Sequence, residues 1–207
     1  GKEKVNYEGV ISIKNNITDK GVEVGSLVYW VAGAEANCAI NASCTNMIYD
    51  GEYTVNTKYK QYELEQAVSS GMMMFHNVTD AVSGNVVGDT RLLTDINTFT
   101  EFTKAKNSDF SLNQVIRVLD NIAIDIARLF NKQYLGKVQN DSAGRLALWG
   151  DGVALFEEYE RVRAIQSFDE ELLPIPKQGE TKTSVIWGFE IQPTCCMEKL
   201  YAQVIVA

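Results

Sequence analysis

The C-terminal tail constrains the fold more than any other part of the chain. Thr183, Val185, Trp187, Phe189 and Ile191 recur at every second position, the period of one face of a β-strand. The string Gln192-Pro193-Thr194-Cys195 then reads as a turn, after which Leu200, Ala202, Val204 and Val206 form a second apolar face, with Tyr201, Gln203 and Ile205 opposite. The expectation is a terminal β-hairpin. Beyond Met197 its only charges are Glu198 and Lys199, both at the start, so the last strand lacks the lysine, proline or bulge that blunts an exposed edge. Such a strand lies inside its own sheet or is donated to another subunit, and an isolated hairpin is marginal in water.

Composition narrows the remaining choices. A chain of 207 residues with 45% apolar residues buries on the order of 70% of its unfolded surface, which excludes disorder as the main state. The longest apolar runs fall well short of the roughly 20 residues of a membrane helix, and no leader-like segment opens the sequence, so neither membrane insertion nor export is expected. The initial Gly1-Lys2-Glu3 suggests a processed or truncated product. The net charge of -8 divides evenly between the two halves of the chain, leaving no basic arm for nucleic acid.

Catalytic and metal-binding patterns are sparse. Cys38, Cys44, Cys195 and Cys196 lack the two-residue spacing of zinc sites, and reduced thiols are the expectation. The sequons at Asn16, Asn41, Asn77 and Asn140 read as chance matches. His76, the single histidine, lies in an apolar run from Met72 to Val78 and reads as structural. Gly150-Asp151-Gly152 lacks the third glycine of a dinucleotide loop, and no G-x-S-x-G elbow or P-loop occurs. Asp120 and Asp125 are about 140° apart around a helix, whereas Glu157, Glu158 and Glu160 interleave with Arg161 and Arg163 as on a solvated face. No catalytic residue, cofactor site or metal site is expected.

Along the chain, strands are expected at residues 7–14, 45–49, 72–78 and 91–96, and helices at 24–39 and 59–69, the latter closed by Gly71. Ala32, Gly33, Ala34 and Ala36 would permit close packing of the first helix. Val115, Ile116, Leu119, Ile122, Ala123, Ile126, Leu129 and Phe130 predict a core-facing helix over 110–133. Another is expected over 142–165, broken near Gly150 and Gly152 because two glycines cost about 2 kcal/mol of helix propensity.

An ordered series of short stretches resembles the contractile tail sheath proteins of myophages and phage-tail-like bacteriocins, of the Gram-positive prophage type. These are Val31-Ala-Gly-Ala, Asp95-Ile-Asn-Thr-Phe-Thr, Asn113-Gln-Val-Ile-Arg-Val-Leu-Asp-Asn-Ile-Ala, Asp125-Ile, Tyr134-Leu-Gly-Lys-Val, Gly144-Arg-Leu, Arg163-Ala-Ile-Gln-Ser-Phe, Ile191-Gln-Pro, Met197-Glu-Lys-Leu-Tyr and Val204-Ile-Val. The sequence departs from the family at Thr194-Cys195-Cys196, where small residues and an acidic one are expected.

The resemblance implies an α+β chain lacking the family's N-terminal portion. Residues 1–90 would be part of the subtilisin-like sheath domain and 91–207 the C-terminal domain with its arm. It implies a non-enzymatic subunit that polymerises helically around an inner tail tube by strand exchange and contracts to drive the tube through a target envelope. Glu198, Lys199, Leu200, Tyr201, Ala202, Gln203, Val204, Ile205 and Val206 would be the donor strand. Thr183, Val185, Trp187, Phe189 and Ile191 would belong to the receiving sheet. Implied partners are further copies of the chain, the inner tube protein, and baseplate and tail terminator proteins. The implied location is a virion tail or bacteriocin particle assembled in the bacterial cytoplasm. The competing reading is an α+β enzyme or ligand-binding domain with an unrecognised site.

Overall fold

A computed structural model describes residues 5–79 and 86–205. The fold is α+β, with two compact units: Gly1–Ile116 together with Cys196–Ala207, and Arg117–Cys195.

In the first unit, β1 (Ser12–Ile13) pairs in parallel with β2 (Met72–Met73). Only two residues of the expected strand over 7–14 enter this ladder: Glu8 and Gly9 form a turn in which Val10 N donates to Tyr7 O, and past Lys14 the Asn15 side chain takes over the pairing. Its Oδ1 accepts from Phe75 N at 2.8 Å, and its Nδ2 donates to Phe75 O and Asn56 O. β3 (Phe75–Thr79) and β4 (Val86–Leu92) form an antiparallel pair in which His76 faces Arg91. The strand expected over 91–96 thus lies earlier, and Leu92 leads into a buried polar stretch containing Asp95, Asn97 and Thr98. Residues 45–49 form no strand; Ile48 makes an isolated bridge to Arg91.

Helices α1 (Leu27–Asn37) and α2 (Gln61–Ser69) follow the sequence expectation. Glu63 accepts from Lys60 N at the start of α2, and Gly71, at φ +75°, turns the chain into β2. Leu27 and Val31 of α1 join Ile17, Cys44, Val55, Met73, Phe75 and Leu92 in the core. Trp30 and Tyr49, at its margin, pack edge-on or tilted against each other and against Phe75. Ala32, Gly33 and Ala36 are exposed, so this structure does not use that small-residue face for packing.

The division between the units falls within α3 (Asn113–Leu129), which continues into a π-helical turn at Phe130–Tyr134. α4 (Ser142–Arg161) is capped by Asp141, whose side chain accepts from Gly144 N. It runs unbroken through Gly150 and Gly152, contrary to the expected kink. Gly152 is buried, and a Cβ there would sit 2.0 Å from Trp187 Cη2; this glycine makes room for an indole without ending the helix.

The expected terminal hairpin does not form within the described residues. β5 (Ile165–Gln166) pairs with β8 (Gln192–Pro193), and β6 (Lys177–Gln178) pairs with β7 (Val185–Ile186), all antiparallel. Residues 192–193, expected as a turn, are therefore paired, and residues 196–205 belong to no strand. Since β7 and β8 are engaged elsewhere, the second strand of the hairpin has no ladder partner among the described residues.

Candidate functional site

The arm has a fastened base and a bare end. At its base, Cys196 N donates to Gln114 Oε1 at 3.0 Å, and Cys196 Sγ lies 3.7 Å from Asn41 O. Two residues on, Glu198 Oε1 accepts from Thr45 Oγ1 at 2.6 Å and lies 3.3 Å from Ser43 Oγ, while Oε2 accepts from Thr94 Oγ1 at 3.4 Å. The neighbouring residues hold these hydroxyls in place: Thr45 Oγ1 accepts from Asp95 N at 2.9 Å, and Ser43 Oγ accepts from Thr45 N at 3.1 Å. Beyond this base, Leu200 is 91% exposed, Tyr201 90%, Val204 89% and Ile205 80%. Both of the expected strand faces are uncovered. Val206, expected in the donor strand, lies outside the described residues.

Beneath the base lies a buried polar cluster. Asp95, 1% exposed, accepts from Cys44 N through Oδ2 and from Asn113 Nδ2 through Oδ1. The ligand atoms of Glu35, Cys44 and Asp95 lie within 4.8 Å of one another, the closest approach to a metal-ligand set among the described residues. Burial, with the Glu35 and Asp95 carboxylates nearby, pushes the Cys44 thiol up and keeps it protonated. Asn113 reaches both carboxylates, so its amide bridges the cluster.

In the unit formed by residues 117–195, the segment between β7 and β8 forms no ladder but keeps the alternation of one. Trp187, Phe189 and Ile191 are half-buried, whereas Gly188 and Glu190 are exposed. Trp187 and Phe189 pack at 5.4 Å between ring centroids, and Phe156 of α4 packs on both. Trp187 Nε1 donates to Pro174 O, pinning the indole. Alongside runs a groove of about 790 Å³ between Ile165–Pro174 and Gly188–Gln192. Of the residues expected in the receiving sheet, Phe189 and Ile191 line this groove, while Thr183 and Val185 line a second cavity of about 390 Å³. Sequence periodicity misses the opposite wall, which includes Ile165, Phe168 and Leu173, because two-residue strands and loops leave no repeating signal.

Several other titratable groups have partners within the fold or on its surface. Burial holds the His76 imidazole below its ordinary value, and the Arg91 charge opposite acts in the same direction. Asp125 accepts from Tyr159 Oη at 2.7 Å, and Asp151 accepts from Tyr134 Oη at 2.5 Å. Glu158 pairs with Arg161 at 2.6 Å.

Residues 1–98 match the family model for the phage tail sheath protein central domain, and residues 105–207 match that for the phage tail sheath C-terminal domain. The phage-like element PBSX protein XkdK of Bacillus subtilis (strain 168) is 26% identical over 96% of this chain and 43% of its own length. A sheath tail protein from Listeria innocua superposes with a TM-score of 0.78 at 26% identity, over 93% of this chain and 44% of that one. Another from Desulfitobacterium hafniense gives 0.70 at 32% identity, over 84% and 40%. The chain spans less than half the length of the curated relatives it matches.

Proposed function

Because this chain belongs to the phage tail sheath family, we propose that it is a structural, non-enzymatic subunit of a contractile sheath. Copies polymerise helically around an inner tube by donating arms to their neighbours, and the sleeve contracts to drive the tube through a target envelope. The observation that carries this reading is the uncovered, largely apolar arm at 200–205, whose exposure is costly in a lone molecule and productive in an array.

The donor is the arm from Glu198 to Val206. The acceptor includes Val185, Trp187, Phe189 and Ile191 with Thr183 at its margin, and the groove beside Gly188–Gln192 is where an incoming strand finds apolar side chains and a main-chain edge. Main-chain hydrogen bonds supply cohesion, and alternate side chains fix the register. A seam of this kind persists while subunits rotate about it, so contraction is a switch between two packings of connected copies and requires no nucleotide. Residues 1–90 serve as part of the subtilisin-like sheath domain and 91–207 as the C-terminal domain. Partners are other copies, the inner tube, and the baseplate and terminator that close the ends. The product is a tail or bacteriocin particle built in the host cytoplasm.

Truncation after Lys199 tests this directly. The shortened chain is expected to retain its circular dichroism and melting profile yet to form no sheath by sedimentation and electron microscopy. Normal assembly without the residues beyond Lys199 would refute donation by the arm.

A further inference from the structure

We propose that Glu198 is the positioning residue of the arm: its carboxylate, clasped by the Ser43, Thr45 and Thr94 hydroxyls, fixes where the tail leaves its own subunit and what direction it takes. The inference builds on the donated-arm reading but concerns the donor before it meets a neighbour. The bond from the Cys196 amide to the Gln114 side chain, at the start of α3, and the hydroxyl clasp at Glu198 hold the tail at two points separated only by Met197. Two attachments so close remove most of the rotational freedom of the segment between them, whereas the described residues from Leu200 onward are bare. The clasp is therefore the last fixed point before the free strand.

Its chemistry suits a holding role. Carboxyl oxygens accept hydrogen bonds, and here Oε1 meets the Ser43 and Thr45 hydroxyls and Oε2 meets that of Thr94. Thr45 donates to Glu198 while its oxygen accepts from Asp95 N, so the clasp is continuous with the buried Asp95–Asn113 cluster. A pull on the arm reaches the buried Asp95 through the Glu198 carboxylate and the Thr45 hydroxyl. Orienting the tail in advance lowers the entropic cost of capture by the next copy.

Residue-resolved amide exchange by NMR on the full, unassembled chain tests this, followed by assembly of the same samples. In the wild type, the Cys196 amide is expected to be protected and those of residues 200–205 unprotected. Glu198→Ala and, independently, Thr45→Val should each speed Cys196 exchange by roughly tenfold or more. Glu198→Gln, which keeps an acceptor oxygen, should fall between them and the wild type. Assembly by Glu198→Ala should be slowed and recovered in part by Glu198→Gln. Unchanged Cys196 exchange in both Glu198→Ala and Thr45→Val would overturn the clasp. Wild-type assembly by Glu198→Ala despite faster exchange would overturn its positioning role. Loss of folding in one variant leaves the decision to the other and to Glu198→Gln. Normal assembly after truncation at Lys199 would refute arm donation but leave the exchange result standing.

Discussion

Two glycines two residues apart in α4 occupy opposite environments. A methyl group added at Gly150 would meet nothing within 4 Å, whereas one added at Gly152 would meet Trp187 Cη2 at 2.0 Å. Gly150→Ala is therefore expected to raise stability by about 0.5–1 kcal/mol through helix propensity. Gly152→Ala should cost about 1–3 kcal/mol by displacing the indole, and thermal melts of the pair would resolve the opposite signs. Propensity alone reads both glycines as helix breakers. The reason one is needed lies far along the chain in Trp187, beyond the reach of local sequence. A second residue-scale prediction concerns Tyr134, whose phenol is pushed up to about 12 by burial and by its bond to Asp151. In the unfolded chain this group ionises near pH ~10, so its contribution is fully present below that pH and is lost as pH rises toward about 12. Burial and Asp125 push Tyr159 up as well, adding to the same alkaline loss. Denaturant midpoints of Tyr134→Phe and wild type should differ at about pH 8 and converge above about pH 10; a gap independent of pH would contradict this account.

The longest amphipathic helix is the most legible element. The apolar spacing that predicts a helix over 110–133 corresponds to α3 and its π-helical extension, because a stripe of many turns outweighs any single contact. Strands are harder to locate, since most are two residues long and owe their place to tertiary partners. Alternation over 7–14 marks a strand of which only Ser12–Ile13 forms, since Glu8 and Gly9 turn the chain and the Asn15 side chain replaces the main chain in bonding Phe75. That substitution makes a prediction: Asn15→Ala leaves Phe75 N and O, both buried, without this partner. It should cost about 2–4 kcal/mol by denaturant melting, whereas a loss under about 0.5 kcal/mol would show that the ladder does not depend on the amide. The Ser43–Thr45–Thr94–Glu198 grouping is invisible in the sequence for a related reason. Its members are separated by up to 155 positions, and each alone is an ordinary polar surface residue. The polarity of the residues is readable; their convergence is not.

At the scale of the molecule, the bare edge of the tail is legible in the scarcity of charge beyond Lys199, and those described residues are indeed highly exposed. Sequence cannot choose between an interior strand and an external one, because the same alternation satisfies either. It also places residues 183–191 in the strand beside the tail, whereas in the folded chain β7 and β8 have other partners and only the exposure pattern survives between them. The uncovered arm has a consequence for any row of such subunits. Under the proposed arm donation, each copy contributes one projecting end and one place to receive it, so every internal copy would be matched on both sides. At the extremities the tally fails: one terminus retains a surplus projection and the other a surplus recess. That proposal makes the two ends of the polymer chemically unlike, so growth would have an intrinsic direction and no single stopper would fit both.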